Sequence, residues 1–410
     1  MNKKKIINDP VHGFINIPSD LIYDLLEHPI FQRLRRIKQL GLTHYVYPGA
    51  THTRFQHTIG AVHLMNQAIK HLQNKGIDIS PEEEEAALTA ILLHDIGHGP
   101  FSHALENSLI EGISHEDLSE LLMARLNGEY GGRLGLALKV FKNQYEKKFL
   151  HQLVSSQLDM DRMDYLKRDS FFTGVVEGNI GTDRLIKMLD VHNDELAIEA
   201  KGIYSVEKFL LARRLMYWQV YYHKTVIASE TCLVNIMQRA KQLVKQGYGL
   251  YATPALAYFL QTTDIKNSLA QSPNEIIDKF LELDDSDIMV SAKQWLSQPD
   301  VILKTLAEGV INRNLPKVEI FRDKIDGSKL GLIREKACKL FKTDQKNVGY
   351  LVSTNTITNS AYSLCDEKIN IVFNNKTIKD ISEVSDILNF AYINQPIQKH
   401  YFCFPKDCGE

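Results

Sequence analysis

The sequence predicts a mainly α-helical protein that carries one small β-hairpin and ends in an α+β subdomain. Apolar residues recur at helical spacing over most of the first 310 residues. Within that part, two short runs over residues 189–205 flank Asn193-Asp194, a pair typical of a tight hairpin turn. After Pro316 the pattern changes, because strand-like runs alternate with helical stretches. The strands are expected at 317–322, 347–356 and 369–373, and the helices between them at 328–342 and 380–389.

Start signals and apolar spacing justify the helical elements in turn. Residues 18–46 begin with Pro18-Ser19-Asp20 and are expected to be helical, with Pro29 opening a second segment. The helix at 81–97 has Ser80 as its N-cap, proline at its first position and four glutamates near its positive end. The other helices are expected at 56–75, 115–127, 134–142, 146–169, 205–247, 253–262, 273–283 and 286–309.

The composition is that of a soluble globular protein. The 410 residues are 44% hydrophobic and 24% charged, and the net charge of -2 gives no basic field that would indicate a nucleic-acid partner. No apolar run has the length of a membrane span, and the five cysteines form no C-x-x-C pair, which favours reduced thiols and a cytoplasmic location. The length suits two units, which we expect at residues 1–310 and 311–410.

The segment His94–His98 (HDIGH) carries the clearest chemical signal. An apolar helix ending in Ile91-Leu92-Leu93 delivers an imidazole and a carboxylate as neighbours. Burying both groups without partners would cost several kcal/mol. A divalent metal ion removes that cost, because it binds a neutral imidazole and an ionised carboxylate. For this dipeptide taken alone, a hydrogen-bonded His-Asp pair at a helix end is the alternative.

Further ligand types lie on both sides of this segment. The motif RFQH at 54–57 precedes it, and the motif DMDRMDY at 159–165 follows it. One histidine from the first motif, the adjacent His-Asp pair and one aspartate from the third make a set of two imidazoles and two carboxylates. Such a set suits a divalent ion with open positions for water and phosphate oxygens. The third motif offers Asp159, Asp161 and Asp164, and residue order alone does not choose among them.

Together, RFQH, HDIGHGPFSH and DRMDYLKRD resemble the motifs of the HD-domain superfamily, above all its dNTP triphosphohydrolase (dGTPase-like) branch. This branch includes bacterial dGTPases and the catalytic domain of the vertebrate sterile-alpha-motif HD hydrolase. The likeness runs from about Lys5 to Lys224 and implies an HD-domain helical bundle, with its metal core at about 50–170. It also implies one divalent ion (Mn, Fe, Mg, Ni or Zn) per active site, with the ligands His57, His94, Asp95 and Asp161.

The resemblance also implies residues for proton transfer and phosphate binding. It places His98, His103 and His115 at the catalytic centre, with Glu116 as the acidic partner that orients His115. Arginine suits triphosphate binding because its guanidinium presents a fixed fork of donors. The implied phosphate contacts are Arg54, Arg162, Tyr165 and Arg213. The vertebrate pattern has lysine where this chain has Arg162, so the contact geometry at that position is expected to differ.

Two more groups of residues are implied by the same resemblance. The sugar would be held by Gln39, Leu40, Asp169 and Tyr221, with the tyrosine filling the space that a ribose 2′-hydroxyl would need. An activating GTP or dGTP would bind at a subunit interface of a homo-oligomer, a dimer or tetramer, through Lys5, Glu27, Gln32 and Arg35. The alternative for this second group is an N-terminal strand that turns into the helical core and only packs there.

The reaction implied is the hydrolysis of dNTPs, dGTP among them, to deoxynucleoside and triphosphate, by attack of water on the α-phosphorus. One alternative is an HD nucleotidase or phosphodiesterase acting on monophosphates or cyclic nucleotides. It would use the same metal site without needing all four phosphate contacts. A second alternative, a nucleotide-gated binding protein without activity, fits less well with complete metal ligands beside His115-Glu116.

Overall fold

We describe a computed structural model of the chain, which covers residues 5–110, 112–359, 362, 368–390 and 396–409. Helices dominate this part and sheets are small, as the sequence predicted. The chain opens with an antiparallel hairpin that was not predicted, formed by β1 (Ile6–Asp9) and β2 (Gly13–Asn16). None of the helices in the described ranges combines the length and the apolarity needed to cross a bilayer.

The first half of the chain builds the helical body. Its helices are α1 (Asp20–Glu27), α2 (Pro29–Gln32), α3 (Arg54–Asn74), α4 (Pro81–Leu93), α5 (Glu106–Leu109), α6 (His115–Glu129), α7 (Gly135–Phe141), α8 (Lys148–Val154), α9 (Met160–Thr173) and α10 (Thr182–Lys187). The predicted cap of α4 is confirmed, because the Ser80 side chain accepts a hydrogen bond from the backbone N–H of Glu83.

A hairpin separates this half from the second set of helices. Its strands are β3 (Leu189–His192) and β4 (Glu195–Glu199), and Asn193 and Asp194 turn between them with φ of 51° and 58°, which confirms the predicted turn. The later helices are α11 (Ile203–Met216), α12 (Lys224–Lys245), α13 (Pro254–Gln261), α14 (Ile265–Gln271), α15 (Pro273–Glu282), α16 (Asp285–Trp295) and α17 (Val301–Ile311).

The C-terminal part contains the strands and helices of the predicted α+β region. They are β5 (Lys317–Phe321), α18 (Gly327–Phe341), β6 (Ser353–Asn359), β7 (Asn370–Val372), β8 (Ile378–Asp380), α19 (Ile381–Val384) and β9 (Ile397–Phe404). One sheet has the order β5-β9-β6, while β7 pairs in parallel with β4 and extends the hairpin to a sheet of order β3-β4-β7-β8. The C-terminal strands are therefore joined to the body by backbone hydrogen bonds.

Several predicted elements are shorter than expected. The helix predicted at 18–46 ends at Gln32 and continues only as a 3-10 turn at Arg33–Arg36, where the buried Arg33 guanidinium donates to the carbonyls of Leu283 and His98. The helix predicted at 146–169 breaks before Asp159, whose carboxylate caps α9. The helix predicted at 205–247 is interrupted by a π-helical turn, Tyr217–Tyr221.

The C-terminal predictions were wrong at two boundaries. Residues 347–352 form turns, and the strand predicted at 347–356 begins at Ser353. The helix predicted at 380–389 is reduced to the single turn α19, which the Asp380 side chain caps.

Candidate active site

A cavity of about 560 Å³ opens where α4 ends and α9 begins, and its other walls come from the π-helical turn and α12. Most of the predicted site residues line it: Gln39, Leu40, Arg54, His94, Asp95, His98, His115, Glu116, Asp161, Arg162, Tyr165, Asp169 and Tyr221. Residues from distant parts of the chain are therefore brought to one place. His57 lies buried beneath the wall, and the side chain of His103 lies outside the described part of the structure.

At the floor of the cavity, ligand atoms of His57, His94 and Asp161 lie within 4.8 Å of one another. Nε2 of His57 is 2.9 Å from Oδ1 of Asp161, and Nε2 of His94 is 3.5 Å from the same oxygen. Asp95 adjoins the group, with carboxylate oxygens 3.8 Å from Nε2 of His57 and 3.3 Å from Nε2 of His94. These are the four residues that the resemblance named as metal ligands.

Hydrogen bonds behind the two imidazoles fix which nitrogen faces the cluster. Nδ1 of His57 bonds a carboxylate oxygen of Asp164 at 2.8 Å, and Nδ1 of His94 bonds the carbonyl oxygen of Ile91 at 2.7 Å. Each acceptor favours the tautomer that carries hydrogen on Nδ1 and leaves a lone pair on Nε2. Both Nε2 atoms are buried and converge on Oδ1 of Asp161, at 2.9 and 3.5 Å, without a well-directed hydrogen bond among the described residues. Two buried imidazole nitrogens that converge on carboxylate oxygens form a donor set that a divalent cation can bind in place of a proton.

The electrostatics of this floor also favour a cation. Burial alone would lower the pKa of His57, but Asp161 and Asp164 raise it to about 10. Burial alone would raise the pKa of Asp161, but the two imidazoles hold it well below its ordinary value. The carboxylates therefore create a negative potential at the imidazole nitrogens, and the donor set fits a divalent metal ion.

The three aspartates of the third motif have three different positions. Asp161, in the first turn of α9, faces the imidazoles, whereas Asp159 is the N-cap of that helix and accepts from the backbone N–H of Arg162 at 2.6 Å. Asp164 lies one turn further, behind His57 and away from the cavity, and accepts hydrogen bonds from Arg168 at 2.8 and 3.0 Å. Of the three aspartates, Asp161 is the one whose carboxylate faces both imidazoles.

Close packing of α3 against α9 makes the contact between His57 and Asp164 possible. A Cβ added to Gly60 would lie 2.0 Å from Oδ1 of Asp164, so only glycine allows this approach. Arg168 in turn donates to Asp9 of the N-terminal hairpin at 2.7 Å, and His12 of the same hairpin contacts Asp164 at 2.7 Å. The N-terminal hairpin is therefore connected to the back of a predicted metal ligand.

A second pair of histidines lies beside the cluster. The rings of His98 and His115 stack with centroids 3.9 Å apart. Gly97 permits this, because a Cβ there would lie 2.1 Å from the carbonyl oxygen of His115. Burial and the charge of Arg54 lower the pKa of His98 well below its ordinary value, so this imidazole is neutral at neutral pH.

His115 has two acidic neighbours, of which the sequence predicted only one. Glu116 lies 3.3 Å from Nε2, but Glu106 accepts from the backbone N–H at 2.7 Å and bonds Nδ1 at 2.8 Å. Glu116 is also the more exposed, with 64% of its side chain accessible against 20% for Glu106. The residue that orients the ring most firmly is thus Glu106, which no motif marked because it lies nine positions upstream on α5.

Cationic groups surround the cluster on the cavity side. Arg54 donates to Asp95 at 2.5 Å and to the hydroxyl of Ser102 at 2.8 Å. Arg162 lines the cavity and is held by the cap carboxylate of Asp159 at 3.1 Å. Burial raises the pKa of Tyr165, while the nearby charges of Arg162 and Arg213 oppose that rise. Arg213 is not part of the described cavity wall, and its Nε is buried without a hydrogen-bond partner among the described residues.

A hydrogen-bonded carboxylate stands further along the cavity. Asp169 accepts from the hydroxyl of Tyr221 at 2.7 Å and bonds Nε2 of His52 at 2.8 Å, so both of its oxygens are held. Gln39 lines the same cavity, and its side-chain oxygen is buried without a partner among the described residues. The sequence did not mark His52, although it stands two residues before the motif RFQH.

The predicted activator residues also come together, at the surface. Nζ of Lys5 lies 2.5 Å from a carboxylate oxygen of Glu27, and Nε of Arg35 donates to the side chain of Gln32 at 2.8 Å. Arg35 stacks over the ring of Phe55 at 3.4 Å. Burial lowers the pKa of Arg35, and the charge of Glu27 opposes that effect, so the two pairs are neighbours.

The fold and the donor set are those of a helical protein with a candidate metal centre, and comparison with known proteins gives its family. A model of the HD domain matches residues 54–169, and a model of the HD associated region matches residues 180–247. The chain is 34% identical to the Uncharacterized protein YwfO of Bacillus subtilis over 322 residues, which cover 77% of this chain and 72% of that protein. The chain belongs to the HD-domain superfamily, as the resemblance of its motifs implied.

Two further similarities concern activity. A crystal structure of a phosphohydrolase from Bacteroides thetaiotaomicron superposes with a TM-score of 0.94 at 51% identity, over 98% of this chain and 100% of that one. The Deoxynucleoside triphosphate triphosphohydrolase SAMHD1 of Homo sapiens is 30% identical over 285 residues. That match covers 59% of this chain but only 45% of the human protein. Family and fold together make this chain an HD-domain phosphohydrolase.

Proposed function

We propose that the protein is a metal-dependent deoxynucleoside triphosphate triphosphohydrolase that releases a deoxynucleoside and inorganic triphosphate, with dGTP among its substrates. One observation carries the proposal. A single cavity joins the cluster of His57, His94 and Asp161 to a set of cationic groups and to the hydrogen-bonded pair of Asp169 and Tyr221. The similarity to a protein named for this activity supports the same substrate class.

His57, His94, Asp95 and Asp161 would hold one divalent ion. When bound, such an ion supplies Lewis-acid polarisation of a phosphate oxygen and a lower pKa for water. The ligand types admit Mn, Fe, Mg, Ni and Zn. The protein's own part is to hold the imidazoles in the binding tautomer through Asp164 and the Ile91 carbonyl.

The remaining residues would position the nucleotide and move a proton. Arg54, Arg162 and Tyr165 would offer donors to the triphosphate, and Arg213, whose charge acts on Tyr165, would add a further cation. His115, held by Glu106 and flanked by Glu116, would give a proton to the departing 5′-oxygen, with the ring of His98 stacked against it. His103 is assigned to the same centre by the family resemblance alone. These roles require water to attack the α-phosphorus, so triphosphate leaves as one unit.

Asp169 and Gln39 would receive the 3′-hydroxyl of the sugar, next to Leu40. The hydroxyl of Tyr221 donates to Asp169, which holds the ring in place, and this ring would fill the space that a 2′-hydroxyl needs. At the surface, Lys5, Glu27, Gln32 and Arg35 would bind GTP or dGTP, and this binding would favour a homo-oligomer. Their connection to the metal floor would run through the N-terminal hairpin, by way of Arg168 and Asp164.

The test is product analysis on all four dNTPs and NTPs with each candidate metal, with and without GTP. The proposal expects triphosphate and deoxynucleoside from dNTPs, little turnover of NTPs, and no turnover after chelation. Release of monophosphate or pyrophosphate would support the alternative nucleotidase or phosphodiesterase. Tight nucleotide binding without any product would support the binding protein.

A further inference from the structure

The side of α12 that faces the cavity carries one charged residue that the proposed chemistry leaves unused. Val226, Glu230 and Leu233 all line the cavity. They are spaced i, i+4 and i+7, which places them on one face of the helix. Glu230 is therefore a carboxyl group on an otherwise apolar stretch of the wall.

Other charged residues of the described wall have a partner or a place in the reaction. Asp159 is held by Arg162, and Glu116 lies beside His115. Glu230, in contrast, makes no hydrogen bond or ion pair within the described ranges. Burial raises its pKa to about 7, so its ionised form lacks the stabilisation that donors would give. A ligand that brought N–H donors to this carboxylate would supply that stabilisation.

The position of Glu230 fits the base of a bound nucleotide. The metal cluster marks the phosphate end of the cavity, and Asp169 with Tyr221 marks the sugar. Beyond Tyr221 the chain enters α12, where Glu230 lies about 9 Å along the axis from Lys224, the first residue of the helix. With the phosphates and sugar placed at those two points, the part of the cavity lined by α12 is left for the base.

We propose that Glu230 recognises the base of the substrate and that the base it selects is guanine. A carboxylate has two parallel acceptors, and guanine alone among the four bases presents two adjacent donors, N1–H and the N2 amino group. Adenine and cytosine each place a ring-nitrogen acceptor beside their amino donor, and thymine flanks its one N–H with two carbonyl oxygens. Each of these three would set an acceptor against the carboxylate.

This inference rests on the proposed function for the orientation of the nucleotide, and Glu230→Gln tests it. The amide keeps the size of the side chain but replaces one acceptor with a donor. The variant should lose about 10- to 100-fold in kcat/KM for dGTP and gain relative activity on dATP, whose donor and acceptor match an amide. The activity on dTTP should change little. Glu282→Gln, an exposed substitution on α15, is the matched control.

Calorimetric binding of the four deoxynucleosides separates this inference from the proposed function. Glu230-dependent preference for deoxyguanosine, in an enzyme that releases no triphosphate, would uphold the base contact and overturn the proposed reaction. An equal loss on all four dNTPs, or no change on any of them, would overturn the base contact while leaving the reaction standing. A thermal melt of each variant identifies a loss that comes from unfolding, and Glu230→Asp then replaces Glu230→Gln in the same comparison.

Discussion

The floor of the cavity and the surface cluster around Lys5 both gather residues that the resemblance assigned to ligands, but their chemistry differs. At the floor, two buried imidazole nitrogens converge on one carboxylate oxygen of Asp161 without a well-directed hydrogen bond among the described residues. At the surface, Lys5 and Glu27 satisfy each other, and their side chains remain 40% and 44% exposed. The first arrangement gathers buried imidazoles and carboxylates whose charge must be balanced by a proton or a metal cation, whereas the second is stable as it stands.

The two groups of residues should therefore differ in how strongly their stability depends on a bound ligand. At the floor a metal cation can replace the proton that balances the buried carboxylates, so the loss of metal binding should affect both stability and activity. A self-paired surface cluster gains less from a ligand, because existing contacts must first be broken. Any activation through Arg35 should therefore be a smaller effect than loss of the metal.

The largest effect is expected for Asp161→Ala. Removing this carboxylate deletes the oxygen that both imidazoles face, so bound metal and turnover should both fall to background. Metal content by mass spectrometry and dNTP turnover measure the two results. Asp159→Asn is the control, because Asp159 caps α9 and should leave the metal bound. Full metal content in the Asp161 variant would show that the ligand has been misassigned.

The next effect is expected behind the floor, for Asp164→Asn. An amide can still accept from Nδ1 of His57, but it loses the charge that holds Arg168 and His12. The affinity for the metal should fall about 10- to 100-fold, as is usual when a group supporting a ligand is altered. Metal titration measures the change. If the Kd for the metal is unchanged, the tautomer of His57 does not depend on this carboxylate.

A more selective effect is expected for Tyr221→Ala. Removing the ring opens the space for a 2′-hydroxyl, so the ratio of NTP to dNTP turnover should rise. Tyr221→Phe keeps the ring and removes only the hydrogen bond to Asp169, so that ratio should rise less. Steady-state kinetics of both variants on GTP and dGTP measure this ratio. A wild type that hydrolyses both nucleotides equally would end the idea of sugar exclusion.

The smallest effect is expected at the surface, for Arg35→Ala. With the wild type, GTP or dGTP should raise both the sedimenting mass and the rate of dNTP turnover. The variant should lose that gain, because Arg35 supplies the charge that meets phosphate. Arg125→Ala, which removes a different exposed ion pair, should respond like the wild type. Unchanged mass and rate on addition of nucleotide would leave the N-terminal segment with a packing role alone.

The sequence predicted those parts of the molecule that local patterns determine. The cap at Ser80 and the turn at Asn193-Asp194 were correct because short-range hydrogen bonds and backbone preference define them. The long helix predicted at 18–46 was wrong because tertiary contacts decide its course, with the Arg33 guanidinium bonded to carbonyls far along the chain. Apolar spacing alone contains no information about such contacts.

In the site, too, local motifs could be predicted from the sequence whereas long-range contacts could not. The family motifs named the four residues of the metal floor, and the structure brings these residues together. The sequence analysis missed three residues of the cavity region, because they belong to none of the motifs considered and reach the site only through contacts formed on folding. These residues are Glu106, His52 and Glu230. A carboxylate nine residues before His115 becomes relevant only when α5 folds back against the start of α6.

Hydrolysis of dGTP in water enriched in oxygen-18 shows which phosphorus atom water attacks and which bond breaks. If water attacks the α-phosphorus and the bond to the 5′-oxygen breaks, mass spectrometry will find the label in the released triphosphate. The deoxyguanosine will carry none, and chelation of the metal will stop both products. Label in deoxyguanosine, or products that are monophosphate and pyrophosphate, would contradict the assignment of this cavity as a triphosphohydrolase site.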